Sequence, residues 1–499
     1  MRNPINPMTP IHNGLTLSRR TLLKGMSAAA GTVAASSVMP IRAHAGLSIP
    51  VGLKQPPTSK TVVKTASRSP SPSPSQLLSN TLYNSYQKAL AAVPGQSQTP
   101  MPTTLYALDC VTRTDITLGD VTLNATAYKD AARPPAAGAV TVGPTMEFVR
   151  GQTTGVYLRN NMTVCGADYQ IDMANPTSGW KPHGFTTTNL HTHGLHVSPQ
   201  APSDDVLIML RSSADTNPAV THLLTSYPYL YNVPGDHPVG TFWYHPHKHG
   251  AVASQVGAGM SGALIVRGTE GDGDIDDLLA TQCNITAHDE VVAVLQTIEY
   301  FYTNTERTEA VFYPAGYYIG GGPDPNTCLG KTLTAQDTTL TSINGQFNPT
   351  IAMELDQIIR LRLVNASNGQ TYVPKLKFIG DGPAPTLPAV YAIAVDGITL
   401  LPPDDIGDPN APYFKIDYNL SPTTDINAYY TTGEILTLAP GQRLDLLIQA
   451  AAPGTFQLYG AALSVDDPAP SVVQHGEANT NNLLKIAVSN SSSNKNQTL

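Results

Sequence analysis

A chain of 499 residues can hold two or three domains, and its net charge of −8 provides no basic surface for nucleic acid. Only 13% of the residues are charged, Pro (42) and Gly (40) are abundant, and Val, Thr, Ile and Tyr recur, which favours turn-rich β structure over a helical bundle. No apolar run reaches the length of a membrane-spanning helix.

At the start of the chain, Arg19 and Arg20 precede a mildly apolar stretch from Met26 to Val38 and a small-residue pattern, Ala43-His44-Ala45. This order resembles a twin-arginine signal over residues 1–45, cleaved after Ala45, and predicts an exported protein, periplasmic or extracellular. Residues 46–103 read as a Pro/Ser-rich linker with alternating SPSPSPS at 69–75. One short helix is predicted over 76–93, where Leu77, Leu78, Leu82, Tyr86, Leu90 and Val93 recur at helical spacing before Pro94-Gly95.

From Thr104 the pattern is strand and turn, and it repeats. PTMEFVRGQTTGVYLRNNM at 144–162 lies over PTIAMELDQIIRLRLVNAS at 349–367, with Pro, Thr, Gln, Leu and Asn identical at matched places. Two copies of one β domain are expected, the first over 104–270 and the second over 271–488, followed by a polar tail at 489–499. In the second copy Ile359, Leu361 and Leu363 should face a core while Arg360 and Arg362 face water, the alternation of a half-buried strand.

Nine of the thirteen histidines lie between His183 and His249. His191 and His193 are two apart, as are His245 and His247, so on extended backbone each pair points to one face. Two such strands side by side would present four imidazoles to one cavity. Neutral imidazole suits copper, zinc, iron and nickel, so the spacing does not name the metal. His183, His196, His222, His237 and His249 lack a matching partner and read as surface or supporting residues. Trp243 shares the strand face of His245 and Tyr244 takes the other; both read as packing residues, Trp243 with a shielding role. Pro246 removes a ladder donor and places HPH at a strand end or edge. In the glycine-rich 257–262 segment, GxxxxGK[ST] is absent, and close backbone packing before a strand from Ala263 to Val266 is expected.

These residues carry a resemblance. HTHG at 191–194 and WYHPHKHG at 243–250 are similar to the first two copper motifs of the laccase-like multicopper oxidases, and GPTMEFVRGQ at 143–152, SDDVL at 203–207 and GAGMSGALIVRG at 257–268 resemble that family's first-domain framework. SINGQ at 342–346, VDGITL at 395–400 and LAPGQRLDLLIQA at 438–450 resemble its second domain. The resemblance implies an all-β fold of two tandem cupredoxin-like Greek-key β-sandwich domains. It implies copper as cofactor, His191 and His193 as ligands of a type 2 and a type 3 copper, and His245 and His247 as ligands of the type 3 pair. It further implies coupling of one-electron oxidation of a phenol or metal ion to reduction of dioxygen to water, with Asp204 or Asp205 as the acid that relays protons.

The family's third-domain motifs, HxxHxH and HCH, are absent from these 499 residues. Cys110, Cys165, Cys283 and Cys328 never neighbour His, so none resembles a blue-copper ligand; disulfides or buried thiols are expected instead. The copper half-site therefore belongs to a truncated oxidase with doubtful turnover, or to one whose cluster another chain completes. The alternative from the binding class is a non-catalytic copper-binding or scaffolding cupredoxin protein. A zinc hydrolase ranks lower, because no general base stands near His191 or His245. In the second copy AVDG at 394–397 falls close to where HTHG stands in the first, with Ala394 and Asp396 in place of the two histidines, so the sandwich itself does not require imidazoles.

Overall fold

The computed structural model describes residues 74–97, 99, 101–118, 121–131, 142–163, 184–216, 218, 220–269, 271–302, 309–312, 338–367, 375–380, 387–400, 414–415, 436–461, 482–492 and 497. The expected signal and most of the linker, with His183, His475, Cys165 and Cys328, lie outside them. All described residues belong to one compact unit, Leu47–Leu499.

The first repeat contributes β1 (Thr104–Leu118), β2 (Val121–Asp130), β3 (Met146–Val149), β4 (Thr153–Asn161), β5 (His191–His193), β6 (Ser226–Asn232), β7 (Gly240–His245) and β8 (Gly262–Arg267). The second contributes β9 (Glu290–Tyr302), β10 (Glu309–Phe312), β11 (Thr338–Ile343), β12 (Thr350–Leu355), β13 (Ile358–Asn365), β14 (Lys375–Gly380) and β15 (Ala389–Val395). It continues with β16 (Ile398–Thr399), β17 (Phe414–Lys415), β18 (Leu436–Thr437), β19 (Arg443–Gln449), β20 (Gly454–Ala461) and β21 (Asn482–Ser492). The architecture is all-β, as expected.

Each repeat is a sandwich. In the first, the four-stranded sheet β3-β8-β7-β5 packs on β2-β1-β4-β6 over a core that includes Phe148, Leu158, Tyr229, Phe242, Tyr244 and Leu264. In the second, β12-β21-β20-β14-β18 packs on β9, β13, β19 and β15 over Leu295, Leu361, Phe378, Leu446, Leu458 and Ile486. The two larger sheets are continuous, because β10 pairs in parallel with β2. The sequence repeat survives as structure: β4 pairs with β1 and β6 as β13 pairs with β9 and β19.

That pairing corrects the counterpart of the HTHG strand. β5 pairs with β7, β7 with β8 and β8 with β3, just as β14 pairs with β20, β20 with β21 and β21 with β12. The counterpart of β5 is therefore β14, not the 394–397 turn. β14 also contains no histidine, so the inference about the sandwich stands on a different strand.

Arg360 and Arg362 do not face water. Every residue of β13 is buried, with Arg360 1% and Arg362 0% exposed, because the face opposite the apolar core is covered by the first sandwich. Arg360 donates from Nη2 to Asp445 Oδ2 (2.7 Å) and from Nη1 to Asp276 Oδ1 (2.6 Å). Arg362 donates to Asp445 Oδ2 (2.8 Å) and Glu290 Oε1 (2.5 Å), and Arg267 completes the cluster through Glu290, Asp276 and Glu147. Burying a guanidinium is tolerable only with such partners.

Among the described residues three α-helices flank the sheets, with one 3-10 turn, Ala287–Asp289, before β9. Pro74–Ala92 realises the predicted helix and ends before Gly95 at φ 79°. It is docked rather than loose: Leu82, Tyr86 and Leu90 are buried against Leu105, Tyr157 and Leu230, and Tyr86 Oη donates to Tyr229 O (3.0 Å). Helices Val252–Gly257 and Ile275–Cys283 were not anticipated. The second is too short for a clear period, yet Asp274 caps it by accepting from the N–H groups of Asp276 and Asp277. Cys110 and Cys283 are free buried thiols. β21 runs through Ser492, into the stretch expected as a polar tail, and Gln497 accepts the Ile358 N–H (2.8 Å).

Candidate metal centre

The pivot is β7, buried on both faces. Phe242 and Tyr244 fill the first core, and Tyr244 Oη donates to Pro144 O (2.7 Å). Thr241, Trp243 and His245 point the other way, toward the second sandwich: Trp243 packs with Val294, Val364 and Ala366, and Thr241 Oγ1 donates to Asp445 (2.6 Å). β5 pairs beside it with His191 opposite His245 and His193 opposite Trp243. The two-residue period thus puts His191, His193 and His245 on one face at the seam between the sandwiches.

Their ligand atoms all lie within 4.8 Å of one another. His247 falls beyond the end of β7, after Pro246, yet its ring centroid is 5.1 Å from that of His191 and 6.1 Å from that of His245. The four predicted imidazoles are together. Trp243 stacks on His245 with centroids 4.2 Å apart and lies 5.0 Å from His193.

Hydrogen bonds orient the rings. His191 Nδ1–H donates to Asp204 Oδ2 (2.7 Å), which leaves Nε2 to act as a ligand. Asp204 Oδ1 accepts from Thr192 N–H (2.8 Å) and Thr192 Oγ1 (3.0 Å), so the carboxylate is fixed to the same strand. Asp205 accepts the Leu207 N–H (2.9 Å) and serves as a turn residue away from the rings. His245 Nδ1–H donates to Pro246 O (2.8 Å), and its Nε2 faces His193 Nδ1 at 3.2 Å.

Burial and neighbouring charge disfavour the charged forms of His193, His245 and His247. Burial, then Arg443, His191 and His247, push His193 down to about 4. Burial and the neighbouring His191 hold His245 well below its ordinary value, and burial also lowers His247. Neutral nitrogens are what a metal ion requires, and no thiolate is present among these ligands. The donor set fits a borderline or soft-to-intermediate metal such as copper.

Of the remaining histidines between His183 and His249, His196, His222, His237 and His249 lie among the described residues. His237 is buried but occupied, its Nδ1–H donating to Pro238 O (2.8 Å) and its Nε2 accepting the His196 N–H (3.0 Å). His222 and His249 are exposed. The sequence reading missed Asn189, fully buried, which accepts the His247 N–H (2.6 Å) and donates to Val206 O (2.6 Å). It also missed Gln255, which donates to Phe185 O and Thr187 O and so ties the helix Val252–Gly257 behind the strand that carries the histidines. Asn189 stands two residues before His191, just ahead of β5, and an amide beside the histidine motif was the available signal.

Comparison with known proteins follows the same segment. Residues 184–271, which include His191, His193, His245 and His247, match the family model described as multicopper oxidase. Two relatives from Saccharomyces cerevisiae are similar. The iron transport multicopper oxidase FET3 is 25% identical over 214 residues, 43% of this chain and 26% of that protein. The iron transport multicopper oxidase FET5 is 29% identical over 106 residues, 21% of this chain and 16% of that protein. The chain thus spans about a quarter or less of the length of these curated relatives. Among solved structures, a multicopper oxidase from Campylobacter jejuni is similar with a TM-score of 0.48 at 18% identity, covering 90% of this chain and 63% of that one. Another, the multicopper oxidase McoA from Aquifex aeolicus, has a TM-score of 0.48 at 16% identity and covers 80% and 64%. The histidine-bearing segment of this all-β chain, residues 184–271, is thus the part that matches a multicopper oxidase family model, and over part of its length the chain is similar to iron transport multicopper oxidases.

Proposed function

We propose that this chain is a copper-binding oxidoreductase that couples one-electron oxidation of a phenol, metal ion or similar donor to reduction of dioxygen to water. The observation that carries the reading is the convergence of four imidazoles, three from two adjacent strands with nitrogens within 4.8 Å of one another and the fourth, His247, from just past the end of β7. His191 would hold a type 2 copper, and His193, His245 and His247 the type 3 pair. Copper bound there supplies the electron-transfer chemistry. The chain's own residues hold neutral nitrogen donors in place, shield His245 with Trp243, and keep His191 oriented through Asp204. Asp204, whose carboxylate touches a proposed ligand, is the proposed proton relay; Asp205 is committed to its turn.

The same reading assigns residues 104–270 and 271–488 as the two cupredoxin-like units, with export by a twin-arginine signal. These 499 residues carry four of the family's ligand histidines and no HCH motif, so the ligands that complete the cluster would come from outside them. Copper content and native mass test this. The purified 499 residues should bind copper, His193→Ala should lose most of it, and sustained oxygen uptake should be absent from these residues alone. Unchanged copper content in His193→Ala would overturn the reading, and a blue absorption band from these residues alone would overturn the account of a half-site.

A further inference from the structure

The second sandwich has no histidine among its described residues after His288, yet it reaches the metal centre through one turn and one arginine. Residues 439–442 form a type II turn: Gln442 N–H donates to Ala439 O (2.8 Å), Pro440 takes the second position and Gly441, at φ 83°, the third. Gly441 lies against the metal centre. A methyl group there would sit 3.5 Å from His193 Cε1 and 3.8 Å from the Trp243 ring.

Arg443, 4% exposed, follows this turn and crosses the seam. Its Nη1 donates to Gly441 O (2.8 Å), its Nη2 to Asp396 O (2.9 Å) and its Nε to Thr241 O on β7 (3.3 Å). The Asp396 carboxylate accepts the Arg443 backbone N–H (3.0 Å) and pairs with Nη1 (3.3 Å). The guanidinium also fills the space beneath Gly194, the residue after His193. Gly194 has φ 90°, and a Cβ there would fall 2.6 Å from Arg443 Nη2. One planar fork therefore joins the turn that backs His193, the strand that carries Trp243 and His245, and the bend that follows His193.

We propose that Arg443 is a positioning residue for His193, through which the second sandwich sets the metal affinity of the first. This rests on the reading of the histidine cluster as a metal centre. Charge and geometry make opposite demands, which makes the inference testable. A cation beside a cation site opposes metal binding, so an arginine acting by charge alone would weaken binding, and its removal would tighten it. An arginine acting by geometry strengthens binding, and lysine cannot replace it, because its donors sit on one nitrogen whereas the three carbonyls are met by three separate nitrogens of a planar fork.

The test is Cu(II) affinity of the full chain, by competition with a chromophoric chelator, alongside melting temperature. Arg443→Met and Arg443→Lys should both weaken binding at least about tenfold, as loss of a supporting contact around metal ligands does. Arg267→Gln, which loosens the seam away from the histidines, should leave affinity within about twofold while lowering the melting temperature. Tighter binding in Arg443→Met, full retention in Arg443→Lys, or equal weakening in Arg267→Gln would each overturn the inference. Weakening in His193→Ala without any in Arg443→Lys would sink this inference alone. Unaltered binding in His193→Ala would remove the metal centre and the inference together.

Discussion

Asp204 shows how little sequence separates two adjacent carboxylates and how much geometry does. One binds the ring of His191 and the amide of its neighbour, and the other closes a turn. Asp204→Ala should leave His191 free to rotate and lower copper affinity by about 10- to 100-fold, read by chelator competition. Asp205→Ala should change it by no more than about twofold. In the metal-free chain His193 should titrate near 4 in a histidine NMR titration, since burial and Arg443 disfavour its charged form. A lowered histidine value means that its contribution to stability is complete above about 6.5 and is lost as pH falls toward 4. At this scale the four ligands were legible because spacing of two on a strand fixes a common face. The choice between Asp204 and Asp205 was not, because it depends on which carboxylate the turn aims at Nδ1.

Among elements, β7 and β13 depart most from what alternation implies. The pattern of β13 was read as one face in a core and one in water, but the second face meets the other sandwich, so Arg360 and Arg362 are buried with partners distant in sequence. Periodicity reports which residues share a side; it does not report what covers that side. The glycine-rich segment before β8 was legible as a close approach. A Cβ at Gly262 would enter the Tyr244 ring, which is fully buried and hydrogen-bonded, whereas one at Gly235 meets nothing within 4 Å. Gly262→Ala should therefore cost about 1–3 kcal/mol in urea unfolding, as overpacking does. Gly235→Ala should stay within about 0.5 kcal/mol of the parent.

For the whole molecule, the internal repeat announced two sandwiches, and strand pairing bore this out while moving the equivalence of β5 to β14. What joins the sandwiches was not legible, because the ion cluster draws Arg267, Glu290, Arg360, Arg362 and Asp445 from separate strands. Burial alone would push the Glu290 carboxyl up, but Arg362, Arg267 and Arg360 reverse this and hold it well below the usual carboxylate range. A depressed carboxylate contributes fully above its unfolded value of about 4.3, and the contribution is lost as pH falls below that. Glu290→Gln should lower stability at pH 7 by about 3–5 kcal/mol, because it strands buried arginines. Its denaturation midpoint should also depend less steeply on pH below about 4.3 than that of the parent, as measured by urea titration across the acid range.

The two-faced burial of β7 has a thermodynamic corollary. An ion captured by His245 stabilises a ribbon that forms part of two interiors, so ligation energy is shared with a sandwich whose described residues contribute none of the four imidazoles. Calorimetry should then register one heat-absorption peak that moves upward as a whole with added Cu(II), by an amount that grows with the logarithm of free metal. Two peaks, with only one moving, would mean that the seam does not transmit the load.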